Sequence, residues 1–155
     1  MKKNKASGKT PVPSKAAAPD SRVEIRKLPT GVRGLDEILG GGIPEFSFNI
    51  IAGTPGCGKT TQAHQIVYAN ATDAKPAIYF TVLGEPAMKM LRYQQQYTFF
   101  DSAKLGKAVR FINLADVVME ENLDAVLEEI ISQVKKIEPG LVVVDSFRTV
   151  VRRAA

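Results

Sequence analysis

The sequence predicts an α/β fold, a parallel sheet covered by helices on both faces, from three observations. A glycine-rich stretch, "GTPGCGKTT" (Gly53–Thr61), joins the apolar run "FSFNIIA" to the helical run "TTQAHQIVYA". Two later apolar runs, "AIYFTV" (77–82) and "LVVVD" (141–145), have strand length and strand composition. Between those two lies a long stretch with helical periodicity, from about Asn122 to Ile137. Strands alternating with helices of this length need crossovers, and crossovers of this kind give parallel neighbours.

Residues 1–24 stand apart from this alternation. Residues 1–22 hold Lys2, Lys3, Lys5, Lys9, Lys15 and Arg22 against one acid, Asp20, so they account for the whole net charge of +5. They contain three prolines and no aromatic side chain, too little apolar surface to offset the entropy of ordering, and read as a disordered basic tail. There is no apolar h-region, so the tail is not a secretory signal. Residues 25–155 read as one domain, in which acids and bases balance at 15 each from residue 23 onward. Contact with nucleic acid is therefore expected only through the tail. A single cysteine, Cys57, excludes an internal disulfide and fits a reducing cytoplasm. No apolar run approaches the ~18 residues of a membrane span, so no membrane is expected.

Along the domain, Leu35, Ile38 and Leu39 have helical spacing and are closed by Gly40, Gly41 and Gly42, predicting one short turn of helix. Residues 46–52 read as a buried strand, and Lys59 to about Ala71 as a helix. The strand "AIYFTV" follows. Pro86 can open a helix continued by "AMKMLRYQQQ", and "AVRFIN" (108–113) reads as another strand. In the 122–137 helix, Leu123, Val126, Leu127, Ile130, Ile131, Val134 and Ile137 form one apolar stripe. Its acids come early and Lys135 and Lys136 late, in accord with the helix dipole, and Pro139 and Gly140 end it.

The opening stretch fits G-x-x-x-x-G-K-[ST], the phosphate loop of P-loop NTPases, over Gly53, Thr54, Pro55, Gly56, Cys57, Gly58, Lys59, Thr60 and Thr61. Glycines let the backbone turn a row of N–H groups toward phosphate oxygens, and the following helix points its positive end at the same place. Lys59 is expected to reach the β- and γ-phosphates and the Thr60 hydroxyl to bind Mg²⁺. The strand before and the helix after are the context this motif requires. A dinucleotide fingerprint is disfavoured, because Thr61 stands where its third glycine would be. Asp145, after four apolar strand residues, is expected at the carboxyl edge of the sheet as the second acid holding Mg²⁺.

These residues together resemble the KaiC-like branch of RecA-type ATPases. The resemblance rests on "PTGVRGLDEILGGGIPE", "GTPGCGKTT" and "LVVVDS", spans about residues 28–150, and is carried most specifically by the lead-in Thr30–Pro44. "LRYQQQYTFFD" looks like bacterial KaiC-like proteins outside the cyanobacterial clock. The resemblance implies a RecA-like sheet, ATP and Mg²⁺ as ligands, and self-association into a ring, often a hexamer, that works as an ATP-driven switch or timer. It also implies a glutamate as general base at the end of the strand after the phosphate-loop helix. Leu83 and Gly84 stand where such proteins carry a Glu-Glu pair, and Glu85 takes that role if one residue is inserted. In RecA-type sheets a later strand returns between the phosphate-loop strand and the Asp strand. The sequence stops ten residues past Asp145, so the fold is expected to be incomplete on its C-terminal side, a fragment or a decayed copy.

His64, the one histidine, has no partner for a metal site or triad and reads as packing or surface. Tyr93, Tyr97, Phe99 and Phe100 read as core or subunit-interface packing, with no basic stripe among them to make a base-stacking surface. Besides an ATPase, the residues leave open a recombinase-like ATP-dependent DNA-binding module, an autophosphorylating Ser/Thr kinase, and a catalytically silent nucleotide-binding fragment.

Overall fold

In a computed structural model the described residues are 24–82, 87–120 and 123–146. The basic tail up to residue 23, Glu85 and the stretch after Ser146 lie outside them.

A two-stranded antiparallel pair comes first. β1 (Lys27–Leu28) pairs with β2 (Ile43–Pro44), Lys27 opposite Pro44 and Leu28 opposite Ile43, and the pair encloses α1 (Leu35–Ile38). The Lys27 ammonium donates to the carbonyls of Leu39 (2.9 Å) and Gly40 (2.6 Å), satisfying acceptors left free at the end of α1. Gly42 has φ 117°, and a Cβ there would lie 2.2 Å from the Leu28 carbonyl oxygen, so only glycine lets the two strands meet. These short strands carry no alternation that a sequence reading could use.

The main sheet is parallel, ordered β4–β3–β5, from β3 (Ala77–Thr81), β4 (Val109–Asn113) and β5 (Leu141–Asp145). Its register sets Tyr79 opposite Phe111 and Val143, and Thr81 opposite Asn113 and Asp145. Side chains alternate across it. Ala77 and Tyr79 face α2 (Lys59–Asn70) with Ala63, Val67 and Tyr68, while Ile78 and Phe80 face α5 (Leu123–Ile137) with Val126. α3 (Ala87–Gln94), a 3₁₀ turn (Ser102–Lys104) and α4 (Ala115–Glu120) complete the order. Phe99 and Phe100 pack beside the Tyr68 ring, whereas Tyr93 and Tyr97 are exposed. The α5 stripe is buried along Val126 and exposed at Leu127 and Ile131.

One predicted strand is absent. Residues 46–52 form no ladder, and Phe46, Phe48 and Ile50 are exposed. Their composition suits a strand, but among the described residues β5 ends the sheet and nothing offers 46–52 a partner. A strand exists only through the hydrogen bonds of its neighbours. No helix among the described residues is long and apolar enough to cross a membrane.

Candidate functional site

The lead-in is anchored to the helix that carries the loop. Thr30, fully buried, donates through its N–H (2.7 Å) and hydroxyl (2.6 Å) to the Asp36 carboxylate, and Val32 N–H donates back to the Thr30 hydroxyl (3.1 Å). These bonds hold the Asp36 carboxyl below the usual carboxylate range. From α2, the Gln65 amide donates to the Gly31 carbonyl and the Asn70 amide to the Pro29 carbonyl (2.7 Å). The Thr-Gly-x-x-x-Leu-Asp pattern thus forms a knot fastened along α2. An open groove runs from Arg33, Leu35 and Ile38 of that knot to Cys57 and Thr61 of the loop.

The loop itself is exposed from Gly53 to Gly58. Gly56 (φ 80°) and Gly58 (φ 88°) adopt left-handed conformations, and Gly58 caps α2 with no side-chain partner, so the first helical N–H groups face outward. The Lys59 ammonium folds over the loop, donating to the carbonyls of Gly53 (3.0 Å) and Thr54 (2.8 Å), with Cys57 Sγ at 3.8 Å. A Cβ on Gly53 would meet that sulfur at 2.5 Å, which explains the small residue at the start of the loop.

Thr60 and Asp145, 85 residues apart in sequence, meet at the carboxyl end of β5, where the Thr60 hydroxyl donates to Asp145 Oδ2 at 2.7 Å. Tyr79 donates its phenol to the same oxygen, also at 2.7 Å. Burial first, then the Asp145 charge and hydrogen bond, raises the Tyr79 phenol far above its usual range, so it remains a donor. His64 packs against Tyr79 at 4.4 Å and edge-on to Phe111 at 5.8 Å, and the Gln94 amide contacts its Nε2 at 3.3 Å. Burial lowers the His64 pKa to about 4, against the opposing pull of Asp145, so the ring is neutral packing. The sequence signal for Tyr79 is its place inside a buried apolar strand, where a tyrosine needs an acceptor for its hydroxyl.

The structure therefore brings Thr60 to Asp145, while Lys59, next to Thr60 in sequence, is folded over the loop; Glu85 lies outside the described residues. Among the described residues no group of three or more His, Cys, Asp or Glu side chains could hold a metal alone. The Thr60 hydroxyl and Asp145 carboxylate are hard oxygen donors, a set that fits Mg²⁺ completed by phosphate and water.

The family described as "ATPase: KaiC" matches residues 28–155. The chain is 34% identical over 140 residues to the DNA repair protein RadA of Mycobacterium tuberculosis, covering 88% of this chain and 26% of that one. It is 27% identical over 144 residues to the circadian clock oscillator protein KaiC of Prochlorococcus marinus, covering 88% of this chain and 29% of that one. The crystal structure of a KaiC-like protein from Pyrococcus horikoshii OT3 superposes with a TM-score of 0.66 at 27% identity, over 84% of this chain and 59% of that one. The chain thus spans under a third of the curated relatives named.

Proposed function

The chain belongs to the KaiC-like branch of the RecA-type ATPases, and from that premise we propose that it binds Mg-ATP at residues 53–61 and Asp145. The observation that carries the reading is the Thr60–Asp145 hydrogen bond, which joins the end of the glycine loop to the end of β5. The loop N–H groups and the α2 amino end hold the phosphates, and Lys59 exchanges loop carbonyls for phosphate oxygens. Thr60 and Asp145 hold the Mg²⁺, whose charge offsets that of the phosphates. Glu85 orients the attacking water in hydrolysis, and the protein works as an ATP-driven switch within a self-associated ring. These last roles rest on family resemblance.

Titration of a fluorescent ATP analogue tests the site. Lys59→Ala should abolish binding, and Asp145→Asn should spare affinity in EDTA while losing the gain from Mg²⁺. Wild-type affinity in Lys59→Ala would sink the assignment. For turnover, Glu85→Gln should keep affinity and slow hydrolysis on the order of a hundredfold.

The 34% identity to a DNA repair protein favours a second reading, an ATP-dependent DNA-binding module. Salt-dependent retention on single-stranded DNA that survives removal of residues 1–24 would select it. The even balance of acids and bases in the domain supports the first.

A further inference from the structure

Tyr79 lies in the middle of β3, fully buried, in a position for which the phosphate-loop motif specifies nothing. A phenylalanine would fill the same space against His64 (4.4 Å) and Phe111 (5.4 Å). What the tyrosine adds is its hydroxyl, which crosses diagonally from β3 to the last residue of β5 and donates to Asp145 Oδ2 at 2.7 Å. Thr60 donates to the same oxygen from the exposed side. The two donors are unlike. Thr60 sits at the exposed start of α2, while the Tyr79 ring is clamped between β4 and α2, with His64 held in turn by Gln94.

We propose that Tyr79 is a positioning residue for the metal-holding pair: it fixes the Asp145 carboxylate from inside the sheet, so that Asp145 and Thr60 are in place before the nucleotide arrives. This rests on the reading of Asp145 and Thr60 as the Mg²⁺ pair. The physical reason is the place of Asp145, at the end of a strand with neighbours on one side only among the described residues. A carboxylate there rotates freely unless a rigid donor holds it, and a buried hydroxyl without an acceptor would pay its full desolvation. Each group therefore fixes the other. Partners that orient a metal ligand typically carry 10- to 100-fold in metal affinity.

The test uses the whole chain, wild type and Tyr79→Phe, with a fluorescent ATP analogue in EDTA and in Mg²⁺. Affinity in EDTA should stay within about twofold of wild type, which doubles as a control for folding, while the gain conferred by Mg²⁺ falls about tenfold. In an Asp145→Ala background, Tyr79→Phe should add no further loss of that gain, because its acceptor is gone. An undiminished Mg²⁺ gain in Tyr79→Phe overturns the proposal while nucleotide binding stands. So does an equal fall in EDTA and Mg²⁺, which makes the hydroxyl merely structural. A wild-type chain that binds no nucleotide in either buffer instead removes the Mg-ATP reading, and the role of Tyr79 with it.

Discussion

Residues 46–52 and residues 77–82 have nearly the same character, apolar runs of aromatic and branched side chains, yet they meet opposite fates. Phe80 is 0% exposed and Phe48 is 89% exposed. β3 has a parallel neighbour on each side and a helix on each face, so its side chains from Ala77 to Phe80 are buried and Thr81 is half-buried. Residues 46–52 pair with no strand among the described residues and are exposed throughout. An apolar run measures the capacity to be buried; neighbours decide whether that capacity is used.

The comparison breaks most directly at Phe80. It fills the α5 side of the core with Ile78, Leu114 and Val126, and Phe80→Ala should leave a cavity costing about 3–5 kcal/mol. Urea unfolding followed by circular dichroism reads this as a shift of midpoint at constant slope. A loss below about 1 kcal/mol would mean that this face is as loose as 46–52, and the contrast would fail.

The next effect lies on the other face of β3. His64 folds with a pKa near 4, below the 6.5 of a free histidine, so the unfolded chain binds the extra proton first. The contribution of the neutral ring is therefore full above about pH 6.5 and is lost as pH falls toward 4. Between pH 7 and 5 stability should drop by about 2 kcal/mol from this group. Asp145, Tyr79 and Gln94 surround it, and of these only Asp145 is charged, opposing part of the shift. His64→Phe keeps a ring in place and removes the proton site, so its urea midpoint should be flatter over the same range. Parallel slopes for the two proteins would show that His64 does not carry the acid sensitivity.

The same contrast explains what could be read in the sequence. Lys59–Asn70, Ala77–Thr81, Leu123–Ile137 and Leu141–Asp145 fall within a residue or two of their predicted bounds: the third has a periodic stripe ended by Pro139 and Gly140, the two strands are short apolar runs, and the first follows from the glycine loop that opens it. Gly53–Thr61 was visible because its chemistry is local. Asp145 is expected near Thr60 from its place at the end of an apolar strand together with the phosphate loop upstream, whereas Tyr79 beside Asp145 depends on register between β3 and β5, which no single run of residues encodes. β1 and β2 escaped for a related reason, being two residues each and joined by Gly42 and Lys27 rather than by a pattern. Residues 46–52 have the composition of a strand, but the strand that would return beside them is expected to be missing, and composition alone supplies no partner.

The smallest effect is the sharpest check on that last point. Phe48 makes no contact within either core cluster, and its ring is almost wholly in water in the folded chain as in the unfolded one. Phe48→Ser should therefore leave the urea midpoint unchanged within about 0.5 kcal/mol, since no apolar area changes its surroundings on unfolding. The exposed row Phe46, Phe48 and Ile50 is also a surface on which chains can adhere, so the substitution should lower light scattering in concentrated solution. A destabilisation of more than about 1 kcal/mol would show that the ring is packed in solution. The segment would then have a covering neighbour after all, and the difference between 46–52 and β3 would shrink to one of degree.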